Sequence, residues 1–454
     1  MTKPRNNAIL SDMNRREWKR QQRRRFIGEH HKLFIIIFSV AAILLIAGVT
    51  VFIIMQNKKN ARTEKKAPAV TAAGTSDGVK ETVVLDMGLD LPKSSDEPEE
   101  ASETKEASEP EESSSNFSLS RWKEDHTRVK GIYVTGPVAG SERMDDMLKL
   151  MDETELNAMV IDIKNDGGEI TFKMPEDTTP GSLGNCVRYI RDIDAMMATL
   201  REHKVYTIAR IVSFKDPLLA KTRPELALYN SEGEPITDGN DLAWVNPCNK
   251  EVWEYLTEIA EYSADLGFDE IQYDYVRFPV GEEAEKADYG VELTPENKHT
   301  YITGFLEYAS ERLHKKGIPV TADLFGTIIG NPLDVGQVGQ DYVELAEAAD
   351  ALCPMIYPSH YAAGVFGLEV PDAQPYEAIL AALEKSKDEL KDVPEDKKAV
   401  VRPWLQDFSA PWVEGHITYG MDEIKAQIQA VYDSGYEEWI LWNARNNYTF
   451  SGNE

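Results

Sequence analysis

From Val129 onward the chain alternates short β-branched or aromatic runs with longer amphipathic segments, and it does so eight times. The strand candidates are VKGIYVTG (129–136), AMVIDIK (158–164), VYTIARIV (205–212), DEIQYDYVRF (269–278), PVTADLFG (319–326), ALCPMIYP (351–358), AVVRPWLQDF (399–408) and EEWILWNA (437–444). Between them, segments such as EVWEYLTEIAEYSADLG repeat apolar residues at three- and four-residue steps, the spacing of a helix laid on a sheet. Several of these segments stop at a glycine just before the next strand: Gly267, Gly317 and Gly435. Eight strands with helical crossovers predict the α/β class and a closed parallel barrel, the (β/α)8 TIM barrel, rather than an open doubly wound sheet. No G-x-G-x-x-G follows a strand, which argues against dinucleotide binding. Little chain remains after the eighth strand, so its helix should be short or missing. The stretch around 118–128 is the candidate to cover that gap.

The segments before the barrel differ in kind. Residues 33–55, LFIIIFSVAAILLIAGVTVFIIM, carry no charge and are long enough, at about 1.5 Å per residue, to cross a hydrocarbon core of about 30 Å. A cleaved signal peptide would have a shorter apolar region with a small-residue cleavage site close behind it. Residues 1–32 form a basic tail, denser in Arg and Lys than the far flank, so the positive-inside rule predicts a single-pass membrane anchor with its N-terminus cytoplasmic and the barrel extracytoplasmic. Residues 56–120 are rich in Glu, Ser and Pro, cannot offset their ordering entropy by burial, and read as a disordered acidic linker. The barrel domain then occupies 121–454.

The formal charge of -29 is carried mostly by the barrel, and such a surface repels nucleic acid phosphates. Cys186, Cys248 and Cys353 stand apart, with no CxxC and no HxH or HxxxH, so neither a zinc site, a disulfide framework nor any other metal or cofactor is expected. Nothing indicates an obligate protein partner.

Barrel enzymes place their chemistry at the C-terminal ends of the strands. Here those ends carry Asp162, Lys164 and Asp166 on strand two, Arg210 on strand three, Asp274 and Arg277 on strand four, and Asp323 on strand five. Tyr357 ends strand six, Arg402, Trp404 and Asp407 lie on strand seven, and Trp442 and Asn443 end strand eight. Period-two alternation puts Gln272, Asp274 and Val276 on the inner face, with Ile271 and Tyr273 outside. It likewise turns Thr321 and Asp323 inward, and groups Val160, Asp162 and Lys164 on one face. Inward charges are costly unless they are paired or used. The candidate catalytic residues are therefore Asp274, Asp323 and Asp162, although Asp162 could equally belong to an ion-pair network with Lys164 or Arg210.

Aromatic residues crowd the same end, and sugar rings combine apolar C–H faces with hydroxyls that need polar partners. A cleft of this kind suits a carbohydrate, with Arg210, Arg277, Tyr357, Trp404, Asp407, Trp442 and Asn443 as candidate substrate-binding residues. The connections after strand three (213–249) and strand four (279–294) are long enough to wall a groove.

The strings VKGIYVTG, NAMVIDIKNDGGEI, GFDEIQYDYVRFP, TADLFG, PMIYPSHY and RPWLQDF resemble the bacterial family described as the putative glycosyl hydrolase domain, over about 129–450. That resemblance implies a barrel, often behind an N-terminal membrane segment, and glycoside hydrolysis. More distantly, Asp274, Asp323 and Asp407 occupy strands analogous to those carrying the acids of alpha-amylase-like barrels. Strand five here offers Asp in place of Glu, and Gln272 replaces the usual Arg. The expected function is hydrolysis of a cell-surface or extracellular polysaccharide by a carboxylate pair, without a cofactor. The alternative is a non-catalytic carbohydrate-binding barrel at the cell surface. A metal-dependent hydrolase lacks the histidines, and for a serine hydrolase the barrel, 121–454, carries no G-x-S-x-G.

Overall fold

A computed structural model describes residues 117–450 of the 454-residue chain. The predicted span 33–55, the basic tail and nearly all of the linker lie outside the described residues. Among the described residues no helix is long and apolar enough to cross a membrane.

The strands are β1 (Lys130–Val134), β2 (Ala158–Lys164), β3 (Tyr206–Val212), β4 (Glu270–Asp274), β5 (Val320–Phe325), β6 (Ala351–Met355), β7 (Val400–Val401), β8 (Trp404–Gln406) and β9 (Trp439–Trp442). All pairings between them are parallel; β1 joins β9 and β5 joins β6, which closes the sheet. β7 and β8 both pair with β6 and are two halves of one stave, so the barrel has eight staves with helices between them. The predicted seventh strand is interrupted because Pro403 has no N–H to give the ladder.

Side chains divide cleanly by face. Met159, Ile161, Ile163, Ile271, Tyr273, Ala322 and Leu324 join the large outer core beneath the helices, while Val160, Ile208, Cys353 and Ile440 fill the barrel. The helix Lys250–Asp265 buries Val252, Leu256, Ile259 and Ala260 at helical spacing. The ring of Tyr273 meets Phe305 of the helix Lys298–His314 at 4.9 Å. Gly267 takes φ 92°, a left-handed turn that lets the chain leave its helix and enter β4 directly.

Two details depart from simple alternation. A register shift between Asp162 and Lys164 sets Lys164 opposite Ile211, a residue of the outer core. Lys164 therefore does not share the Asp162 face; its ammonium bonds the Val212 carbonyl at 2.5 Å and Asp216 at 2.8 Å. Val276 also belongs to the outer core rather than the inner face, because Tyr275 breaks the strand with a φ of 50°.

The lower interior of the barrel is polar. Arg402 reaches Glu270 at 2.6 Å and Glu438 at 2.8 Å, and all three are wholly buried. Thr321 and Tyr206 add hydroxyl bonds to Glu270 at 2.9 and 3.1 Å. Below this layer lies the helix Leu119–Asp125: His126 meets Glu438 at 2.6 Å, Lys123 bonds the Lys398 carbonyl, and Phe117 stacks on His314. No helix follows β9 among the described residues.

Arg402→Met should leave two buried carboxylates without their cation and destabilise the barrel by about 3–5 kcal/mol. Urea unfolding of wild type and variant measures this, and a loss below about 1 kcal/mol would show that the lower layer is not held by the pair.

Candidate active site

Arg210 is the centre of the upper layer. Its partners follow from the register, which sets it opposite Asp162 on β2 and opposite Gln272 on β4, two residues below Asp274 on the same face. Its Nη1 donates to Asp162 at 2.5 Å. Its Nε and Nη2 both donate to Oδ2 of Asp274, the first at 3.0 Å. Nη2 also reaches Asp166 at 3.4 Å. The guanidinium is 1% exposed, so water contributes almost nothing to its solvation and the carboxylates must. Tyr133 donates its hydroxyl to Asp162 and stacks on Trp442 at 4.2 Å; the Arg210 cation lies 5.5 Å from the Tyr133 ring centre.

Asp323 stands on β5 beside this cluster but makes no bond to Arg210. The indole N–H of Trp404 donates to its Oδ1 at 2.6 Å. Burial, reinforced by the charge of Asp274, raises its carboxyl well above the ordinary range despite the Trp404 hydrogen bond and the field of Arg210. Asp162 is pushed up to about 6, because burial outweighs the Arg210 charge and the Tyr133 hydroxyl. Half-exposed Asp166 moves the other way: Arg210 and Lys215 overcome its desolvation and lower it.

Where β4 ends, Asp274 Oδ1 accepts the backbone N–H of Tyr275 at 2.5 Å. Tyr275 holds a left-handed backbone that is uncommon for a residue with a bulky side chain, strain of the sort concentrated at functional sites. The twist swings its ring under the Lys215 ammonium at 3.6 Å and against Trp244 at 5.9 Å. Trp244 comes from the long connection after β3, which is tied into shape by bridges such as Lys215 to Trp244 and Ala227 to Val245.

These residues line a cavity of about 380 Å³ at the C-terminal end of the barrel. Seven of the ten predicted site residues line it: Asp274, Asp323, Arg210, Arg277, Tyr357, Trp404 and Trp442. Asp162 lies just beneath, behind Arg210. Asp407 and Asn443 are elsewhere, since Asp407 accepts the Thr449 N–H at 3.1 Å and Asn443 donates to the carbonyls of Asp407 and Asn447. Both shape the connection after β9, so Asp407 does not supply a third cavity carboxylate as the amylase analogy implied. Arg402 sits a layer below, and Lys164 is turned outward.

Sequence reasoning did not select Tyr133 or Lys215. Alternation along VKGIYVTG would have pointed Tyr133 inward; nothing local marks Lys215, whose place depends on the folded connection. Among the described residues no three His, Cys, Asp or Glu side chains are grouped as a metal site requires.

Parallel staves closed into a barrel, with a cavity at their C-terminal ends lined by charged and aromatic side chains, define a protein of the TIM-barrel class. Residues 131–448 match the family described as "Putative glycosyl hydrolase domain", and the chain belongs to that family. Among solved structures it is similar to a hypothetical protein from Ruminiclostridium thermocellum, with 36% identity over 42% of this chain and 96% of that one, at a TM-score of 0.38. The PgaB (BpsB) glycoside hydrolase domain from Bordetella bronchiseptica shares 12% identity over 70% of this chain and 94% of that one, at 0.50, a likeness of fold. The glycoside hydrolase domain of PelA from Pseudomonas aeruginosa also matches, at 12% identity over 71% and 97% and a TM-score of 0.41. No curated protein matches the chain.

The raised Asp162 has a consequence for stability. Its folded pKa of about 6 exceeds the unfolded value of about 3.9, so the native state holds the extra proton between those pH values. Its contribution is fully present below about pH 4 and is lost as pH rises through 6. The stability advantage of wild type over Asp162→Asn should therefore shrink from pH 4 to pH 7. Chemical denaturation at several pH values tests this; an advantage that grows with pH would contradict it.

Proposed function

We propose that the protein hydrolyses a glycosidic bond in a cell-surface or extracellular polysaccharide, with Asp274 as nucleophile and Asp323 as general acid. The observation that carries this reading is the contrast between two inward carboxyls on neighbouring staves. Asp274 is clamped by a guanidinium, while Asp323 receives only an indole N–H and is driven toward its protonated form. That contrast in partners supports the acid role for Asp323 and leaves Asp274 to attack. Trp404 occupies one oxygen of Asp323 and leaves the other to carry the proton.

Tyr273 pairs with Ala322, and continuing that register by one residue sets Asp274 opposite Asp323. Neighbouring strands lie about 4.8 Å apart, which supports a carboxyl separation of about 5 Å, the spacing of retaining enzymes. In the first step Asp274 attacks the anomeric carbon as the Asp323 proton passes to the departing glycosidic oxygen. Water, deprotonated by Asp323, then displaces Asp274 and releases the sugar. Arg210 keeps Asp274 aimed and Asp162 offsets the Arg210 charge from behind. The rings of Tyr357 and Trp442 line the cavity beside the two carboxyls. The apolar run 33–55 and its basic flank support a place for the barrel outside the membrane.

Glycan release by the full chain from cell-wall and exopolysaccharide preparations tests the activity. Asp274→Asn should lose at least about a thousandfold in kcat/KM, and Asp323→Asn about 10²- to 10⁴-fold, less on substrates with good leaving groups. Full activity in Asp274→Asn would overturn the assignment. Equal glycan binding by wild type and Asp274→Asn without product would instead favour a carbohydrate-binding barrel. NMR of the first-formed anomer reports retention or inversion.

Trp404→Phe removes the hydrogen bond that lowers the Asp323 pKa. The alkaline limb of its pH–rate profile should move to higher pH; a limb that stays in place would separate Trp404 from the acid.

A further inference from the structure

Arg277 lines the cavity with no carboxylate of its own. Arg210 spends its Nε–Nη2 edge on Asp274; among the described residues the same edge of Arg277 has no partner, and its one hydrogen bond runs from Nη1 to the Phe278 carbonyl at 2.9 Å. The side chain is 8% exposed, and among the described residues no ion pair within 4.0 Å compensates it. It is instead boxed by rings, with its guanidinium carbon 4.5 Å from the centre of Phe325, 4.8 Å from Trp244 and 5.2 Å from Tyr275. Those rings hold the planar cation in one orientation without satisfying its donors. Burial outweighs the fields of Tyr275, Asp274 and Asp238 and lowers its pKa, a sign that the charge is underpaired. The other cations of the upper layer differ: Arg210 is neutralised by Asp162 and Asp274, and Lys215 leans toward Asp166 and Asp238.

We propose that the Nε–Nη2 edge of Arg277 receives the carboxylate of an acidic sugar, so that the glycan bound in this cavity contains uronate residues. Two parallel N–H donors match the two oxygens of a carboxylate, and bonds of this kind are roughly twice as strong as neutral ones. The aromatic box costs little to form on binding because it is already in place. The negative potential of the barrel surface slows approach of an anionic chain, but within the cavity the local, desolvated cation decides binding. The inference deepens the glycan reading and rests on it for the sugar; it is scored by binding, so loss of hydrolysis and loss of this site give different results.

The test titrates the full chain in detergent with glucuronate and galacturonate, and with glucose and galactose as neutral counterparts, by calorimetry. Uronates should bind about ten- to a hundredfold more tightly than the hexoses. Arg277→Met should abolish that difference. Arg277→Lys, which keeps the charge but lacks the fork, should recover only part of it. Equal affinity for uronates and hexoses in wild type, or uronate binding that survives in Arg277→Met, overturns the proposal. Preference for glucose 6-phosphate over glucuronate also overturns it, in favour of a phosphorylated glycan.

Discussion

Arg210 and its three carboxylates form the interaction on which the upper barrel depends. A guanidinium so nearly removed from water persists only if anions replace the lost hydration. Asp162 and Asp274 do so from the two flanking staves, and this fixes both side chains in place. Asp323 is left as the carboxyl without a cation. Burial first, and the charge of Asp274 second, raise its proton affinity, and the field of Arg210 offsets this only in part.

The barrel interior repeats this arrangement one layer lower, with Arg402 between Glu270 and Glu438. The two layers share chemistry and differ in access. Arg402 has no exposure and does not line the cavity, and its network is tied to the helix Leu119–Asp125 through His126 and Glu438. The Arg210 layer opens onto the cavity, where a ligand can reach Asp274 and Asp323. Val160, Ile208, Cys353 and Ile440 fill the barrel as well, and the buried Gln272 amide donates to Cys353 Sγ at 3.2 Å.

The cavity walls come from the connections. The loop after β3 folds on itself through short antiparallel bridges and delivers Trp244; the left-handed turn at Tyr275 delivers a ring and, two residues on, Arg277. Strain at Tyr275 is therefore coupled to orientation: the backbone twist that ends β4 also supplies an N–H to Asp274 and places Arg277 in its aromatic box. A regular strand through this point would have kept Val276 inward and buried Arg277 among the helices.

Alternation and helical spacing alone determined the staves of the barrel, the inward turn of Asp162, Asp274 and Asp323, and the side of the molecule where polar residues gather, because these depend only on neighbours along the chain. The break at Pro403 was readable in principle, since a missing N–H is a local property. Other features were decided only by the tertiary structure. The bulge that swings Lys164 to Asp216, the descent of Arg402 to the floor and the withdrawal of Asp407 and Asn443 into the final connection depend on which partner lies across the sheet. That Arg210 bonds three carboxylates while Arg277 bonds none among the described residues is likewise invisible in the residue types, which are identical. It follows from the space and the partners that the folded barrel leaves around each guanidinium.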